Sequence, residues 1–227
     1  MEIEKKQRMV RIFIRAYLIL QLLLLAALIG FTCNAQNADD ILGKAAMAYD
    51  KSNGIEAAFT THTRSDQQNV PESFSGVINM KGEKFMLKTP DMRIWFDGKT
   101  QWAYMERNDE VNVTTPSGEE LQMTNPVLLL GSYKKGFTPL YKGESTAANG
   151  KSAYDIELTP RKKGDIQRVS LQIEKNTYLP VGISVDSKNG VTMTIRISKL
   201  RTEVNQPDSY FVFKDADFPD AEVIDLR

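Results

Sequence analysis

Between Phe74 and Val113 the chain breaks again and again into short apolar runs, separated by residues that tolerate tight turns: Lys81-Gly82, Asp91 after Pro90, Asp97-Gly98 and Asn108-Asp109. Asp-Gly between two apolar runs is a strong hairpin signal, because both residues accept the backbone angles of a two-residue loop. The spacing predicts a continuous antiparallel meander. No nucleophile, base or ligand cluster stands out within it, so function has to be read from a curved apolar surface.

Strand-like runs continue on either side. Ile55 to Thr63, Phe74 to Met80, Glu83 to Lys88, Arg93 to Asp97, Gln101 to Glu106 and Glu110 to Thr114 form the first group. Pro139 to Gly143, Ala153 to Thr159, Gln167 to Glu174, Leu179 to Asp186, Val191 to Lys199 and Tyr210 to Phe213 form the second, with turn signals at Asn149-Gly150, Lys163-Gly164-Asp165, Asn176 and Asn189-Gly190. On the order of a dozen strands at regular spacing indicates a sandwich or barrel. One highly curved antiparallel sheet of that size is wider than its own side chains fill, which leaves a cavity.

Two helices interrupt this pattern. Asp39 and Asp40 precede the apolar stripe Ile41, Leu42, Ala45, Ala46 and Tyr49, and suit a helix start through capping and the helix dipole; Asn53-Gly54 ends it. The second has Asn125 as N-cap, Pro126 in the first position, a body from Val127 to Tyr133, and Gly136 placed for a left-handed cap. Val127, Leu128, Leu129 and Leu130 are consecutive and cover most of a turn. A helix apolar nearly all round is either buried in the core or is a lid with one face over a cavity.

The first 35 residues read as a leader. Lys5, Lys6, Arg8, Arg11 and Arg15 precede the apolar stretch Ala16 to Phe31, too short for a spanning helix and suited to a secretory signal, with small residues before a cleavage point after Ala35. The expected organisation is a cleaved signal peptide, 1–35, and a single domain, 36–227. Acylation of Cys33 and a retained amino-terminal anchor are the competing readings of this segment.

Charge and cysteine content narrow the classes further. The chain carries 29 basic and 29 acidic residues; without the leader's five basic and two acidic residues, 24 stand against 27, a net of −3. Such a protein lacks the net positive field that nucleic acid attracts. Its one cysteine, Cys33, leaves with a cleaved leader, so stability has to come from core burial.

Catalytic groups are scarce. His62 is the single histidine and sits in a Thr-rich strand, so no His-Cys metal site can be assembled and no nucleophile has a second base to choose from. The expectation is no catalytic residue, no metal and no cofactor. Methionine is more abundant: Met47, Met80, Met86, Met92, Met105, Met123 and Met193 follow the leader. Its flexible thioether chain fills irregular cores and adapts to ligands of variable shape, and Trp95, Trp102 and Phe85 add aromatic area.

The segments GVINMKGEKFMLKTP and IWFDGKTQWAYMERNDEVNV, a helix beginning NPVLLL, and a hairpin series with IEKNTYLPVGISV follow one another in a fixed order. In that order the chain resembles the LolA family of periplasmic carriers of outer-membrane lipoproteins, over nearly all of its length after the leader. The resemblance implies a mainly β (α+β) fold in which a highly curved antiparallel sheet forms an unclosed β-barrel covered by a helical lid. It implies that acyl chains of lipoproteins bind in an apolar cavity, with Ile78, Met80, Phe85 and Leu87 on the concave strands and Val127, Leu128 and Leu130 on the lid. Implied partners are an inner-membrane lipoprotein-releasing ABC transporter and an outer-membrane acceptor, with the carrier itself a monomer in the periplasm and no role for nucleic acid. Where the family commonly has an arginine that ties lid to barrel, this chain has Lys81, a candidate latch without the guanidinium fork. An outer-membrane acceptor, an envelope-stress lipoprotein sensor and a lipid-acting enzyme are the alternatives for such a pocket.

Burying about fifteen methylenes yields roughly 12 kcal/mol at ~0.8 kcal/mol each, near-nanomolar binding from one chain. Several chains buried completely would not be released. A carrier is therefore expected to cover its cargo incompletely and to expose apolar surface when empty.

Overall fold

A computed structural model describes residues 37–65, 72–118, 120–121 and 125–227. The leader, Cys33 and Met123 lie outside the described residues. The described residues form a single twelve-stranded sheet in the order β12-β6-β5-β4-β3-β2-β1-β11-β10-β9-β8-β7. The meander comprises β1 (Ile55–Ser65), β2 (Glu72–Lys81), β3 (Lys84–Lys88), β4 (Met92–Phe96), β5 (Gln101–Met105) and β6 (Glu110–Thr114). The second half comprises β7 (Phe137–Thr146), β8 (Ser152–Pro160), β9 (Ile166–Glu174), β10 (Pro180–Ser187) and β11 (Val191–Thr202). β1 pairs with β11, so the two meanders join into one curved surface whose outer strands stay apart.

The turn chemistry behaves as the residue types dictate. Gly82 and Gly98 have φ of 59° and 102°, and the Asp97 carboxylate accepts from the Lys99 and Thr100 amides at 2.8 Å, locking the β4–β5 hairpin.

The helices differ in detail from expectation. Residues 37–51 form α1, already helical at residue 37, so Asp39 and Asp40 lie within it and are not its cap. Its stripe Ala38, Ile41, Leu42 and Ala45 is buried, and Asn53 (φ 49°) and Gly54 (φ 101°) turn the chain out of it. The second helix opens with the tight turn Pro126–Leu128 and continues as α2 (Leu129–Gly136). Gly136 takes no left-handed cap: the chain passes directly into β7 at Phe137 (φ −132°), whose amide bonds back to the Tyr133 carbonyl.

Two further corrections concern the carboxyl end. Tyr210 to Phe213 is not a strand; Asp208–Phe211 is a 3-10 turn, and Phe213 just beyond it packs on the sheet from outside. A strand not foreseen in the sequence, β12 (Glu222–Asp225), pairs in parallel with β6.

The sheet therefore has two apolar layers. The concave core joins α1, α2 and both meanders through residues such as Leu42, Phe85, Leu130, Ile156, Leu171 and Ile183. A second cluster on the convex side of β3–β6 joins Met86, Trp95, Trp102, Tyr104, Val111 and Val113 to Phe213 and Phe218 of the carboxyl-terminal arm. The convex side of β9–β11 is polar, with Arg168 bonded to Asp186 and Ser184 to Thr194.

Candidate functional site

Along β2, Phe74, Ile78 and Met80 project to the concave side, and cross-strand pairing sets Ile78 against Leu87 and Met80 against Phe85 of β3. This follows from strand alternation: residues two apart share a face. The same rule aligns Ala57, Phe59 and Thr61 on β1, Met92 and Ile94 on β4, Ile183 on β10, and Met193, Ile195 and Ile197 on β11. Together with Asn125 and Val127 at the start of the lid segment they enclose a cavity of about 230 Å³. Among the described residues, only Thr61 and Asn125 bring polar side chains to its wall. Phe74 is 40 % exposed, so the cavity reaches solvent beside it.

Gly76 shapes one side. A Cβ at this position would stand 2.7 Å from the Phe59 ring and 2.6 Å from the Lys88 carbonyl oxygen, so the bare backbone of β2 is what lets the ring come this close. Phe59 then meets Phe74 edge to face at 6.4 Å.

Side-chain hydrogen bonds help tie the lid to the body. Tyr133 Oη donates to Asp39 Oδ1 of α1 at 2.9 Å, and burial together with that carboxylate pushes the Tyr133 phenol well above its ordinary pKa. Asn125 Nδ2 donates to Met80 Sδ at 3.5 Å, while its Oδ1 caps the turn by accepting from the Val127 amide at 3.2 Å. Tyr49 Oη in turn donates to the Gly82 carbonyl at 2.7 Å, fastening the far end of α1 to the β2–β3 hairpin.

Of the residues expected at the site, Ile78, Met80, Leu87 and Val127 meet on the cavity wall. Phe85 lies on the same face but is fully buried beneath it, its ring 5.4 Å from Phe96. Leu130 is buried in the concave core and Leu128 is half-buried against that core; neither lines the cavity. The lid segment thus combines both roles open to an all-round apolar helix. Lys81 donates to the Gln206 carbonyl at 3.0 Å and lies 3.7 Å from Asp208, while Lys84 pairs with Asp208 at 2.7 Å. The described partners of Lys81 are on the carboxyl-terminal arm, and the lid is held instead from α1 and β2.

Three methionines, Met80, Met92 and Met193, reach the wall; Met86 packs in the convex cluster, and Met47 and Met105 are exposed. Trp95 and Trp102 also point away from the cavity, into the convex cluster. His62 is exposed, and among the described residues no group of three His, Cys, Asp or Glu side chains is placed to hold a metal ion. Phe74 of β2 and the contributions of β1, β4, β10 and β11 were missed in the sequence, although the alternation Met193, Ile195, Ile197 carries the period-2 signal that could have found the β11 residues.

An incomplete barrel with a helical lid over an apolar pocket is the architecture expected above, and comparison with known proteins gives it a family. Residues 28–190 match the sequence profile described as outer membrane lipoprotein carrier protein LolA. The chain belongs to the LolA family. The match ends just before β11, so the strand that supplies three LolA cavity residues and the whole carboxyl-terminal arm lie beyond it. An uncharacterised protein of Methanocaldococcus jannaschii is 26 % identical over 200 residues, 87 % of this chain, and the chain spans 57 % of that relative's length. Among solved structures, an uncharacterised conserved protein from Thermus thermophilus shares the fold with a TM-score of 0.57 at 13 % identity, covering 83 % of this chain and 99 % of its own. A LolA superfamily protein from Nitrosomonas europaea aligns over 79 % of this chain and 98 % of its own, with a TM-score of 0.44 and 15 % identity.

Proposed function

We propose that this LolA-family protein is a periplasmic carrier that binds the acyl chains of lipoproteins in the concave cavity and moves them from the inner to the outer membrane. The observation that carries the proposal is the cavity wall, apolar among the described residues apart from Thr61 and Asn125 and open to solvent beside Phe74. Apolar walls with an open mouth suit a cargo held by burial and released without chemistry. The protein is accordingly proposed to be a binding protein and not an enzyme, exported through its leader.

At about 230 Å³ the cavity is smaller than the roughly 300–1,000 Å³ of sites that enclose a drug-sized ligand. Loading a diacyl or triacyl anchor therefore requires the lid segment to move. An inner-membrane lipoprotein-releasing ABC transporter as donor and an outer-membrane acceptor follow from the same proposal.

Incubating the protein from residue 36 onward with a synthetic diacyl lipopeptide tests this. The expected result is a one-to-one complex in native mass spectrometry and displacement of a fluorescent hydrophobic probe. Absence of binding to both would remove the carrier reading.

A further inference from the structure

Asn125 stands at the junction of lid and cavity. It is 2 % exposed, shares the cavity wall with Thr61 as its polar residues, and precedes the turn that leads into α2. The orientation of its amide is set by the backbone: Oδ1 accepts from the Val127 N–H, so the NH₂ group faces the other way, toward Met80 on the cavity wall. There it meets a thioether sulfur at 3.5 Å, and among the described residues it has no other partner. An amide nitrogen carries two N–H donors, and a thioether is a weak acceptor for one of them. A buried donor so poorly matched costs free energy that a better acceptor recovers.

We propose that Asn125 Nδ2 is a recognition donor for the carbonyl oxygen of an ester- or amide-linked acyl chain, which replaces the Met80 sulfur as its acceptor. The proposal rests on the acyl-chain reading above and narrows it: the site selects acyl over alkyl chains of equal length. Methionine suits the exchange, because its three rotatable side-chain bonds let the sulfur move aside with little disturbance. Since Oδ1 of the same amide caps the lid turn, ligand carbonyl and lid backbone are held by opposite ends of one side chain. Occupancy of the cavity is thereby linked to the order of the lid's first turn.

The test compares 1-O-hexadecanoyl glycerol with 1-O-hexadecyl glycerol, lipids with one head group and one chain length that differ in the carbonyl, as competitors of a fluorescent hydrophobic probe. The wild-type protein is expected to bind the ester about fivefold tighter than the ether, the worth of one net hydrogen bond. Asn125→Ser keeps a capping oxygen but replaces the amide NH₂ that reaches the cavity wall with a shorter hydroxyl, and its ratio is expected to fall to near one. Met80→Leu removes the competing sulfur at similar volume, and its ratio is expected to equal or exceed that of the wild type. Equal affinities in the wild type, an unchanged ratio in folded Asn125→Ser, or a reduced ratio in Met80→Leu each overturn the proposal while leaving acyl-chain binding intact. Failure of both lipids to displace the probe overturns acyl-chain binding itself.

Discussion

Tyr133 of α2 donates a 2.9 Å hydrogen bond to the Asp39 carboxylate of α1, two residues 94 positions apart in sequence. This bond connects the helix that follows the cavity wall to the helix that plugs the concave core. Tyr133→Phe keeps the ring and loses the bond, so it is expected to cost about 1 kcal/mol of stability. The measurable consequence is faster amide exchange in Leu129–Gly136 and faster association of a hydrophobic probe, with the exchange of β1–β3 unchanged.

Gly76 is predicted to be intolerant of a side chain. Gly76→Ala brings a methyl group against the Phe59 ring and the Lys88 backbone, of which only the ring can move. A loss of about 1–3 kcal/mol is expected in denaturant unfolding, together with altered probe affinity as Phe59 shifts into the cavity.

Filling the cavity should separate binding from folding. Ala57 is 1 % exposed on the wall, and Ala57→Phe places a ring in the open space beyond it. Probe and lipopeptide binding are expected to fall at least tenfold, with a stability change within about 1–3 kcal/mol. Retained full affinity would show that the ligand sits elsewhere.

The convex cluster should matter for stability and not for binding. Phe213 packs its ring 5.5 Å from Trp95 and 5.2 Å from Phe218, on the face opposite the cavity. Phe213→Ala is expected to cost about 3–5 kcal/mol and to red-shift tryptophan emission, while probe affinity per folded molecule stays the same.

Acid should loosen the carboxyl-terminal arm. The Lys84 ammonium beside Asp208, with Lys81 contributing less, holds the Asp208 carboxyl below its ordinary value of 3.8. A carboxyl depressed in the folded state stabilises it above the ordinary value, and that contribution is lost as pH falls through the folded value. The melting temperature of Asp208→Asn should therefore lie below the wild type at pH 6, with the difference shrinking as acid protonates the carboxyl. The exposed position of the pair keeps the difference small.

Much of the sheet was legible because its signals are local. Asp97-Gly98 marks a hairpin by itself, and Ile78, Met80, Phe85 and Leu87 declare a shared face through alternation. Asn125 at the head of the lid segment was equally plain, as its cap bond to Val127 shows. Alternation fails where both faces are buried: Ile94, Trp95 and Phe96 are consecutive and all buried, so no pattern could send Trp95 to the convex side. The burial of that side depends on Phe213 and Phe218, more than a hundred residues away in sequence, and aromatic residues at 210–213 resemble a strand until their packing is known. β12 is four residues long with acidic residues at both ends, too short for periodicity.

β12 carries one more implication, for the company this molecule can keep. An incomplete barrel has two free margins, and a protein with an apolar mouth that left them flat would invite its own copies to add strand upon strand. Here one margin is taken by a strand of four residues with Glu222 and Asp225 at its ends. The other, β7, carries Pro139, Lys142 and a bulge near Gly143 (φ 120°), which twist it out of register for any incoming partner. Both margins are thus poor templates for backbone pairing, the route by which copies would polymerise.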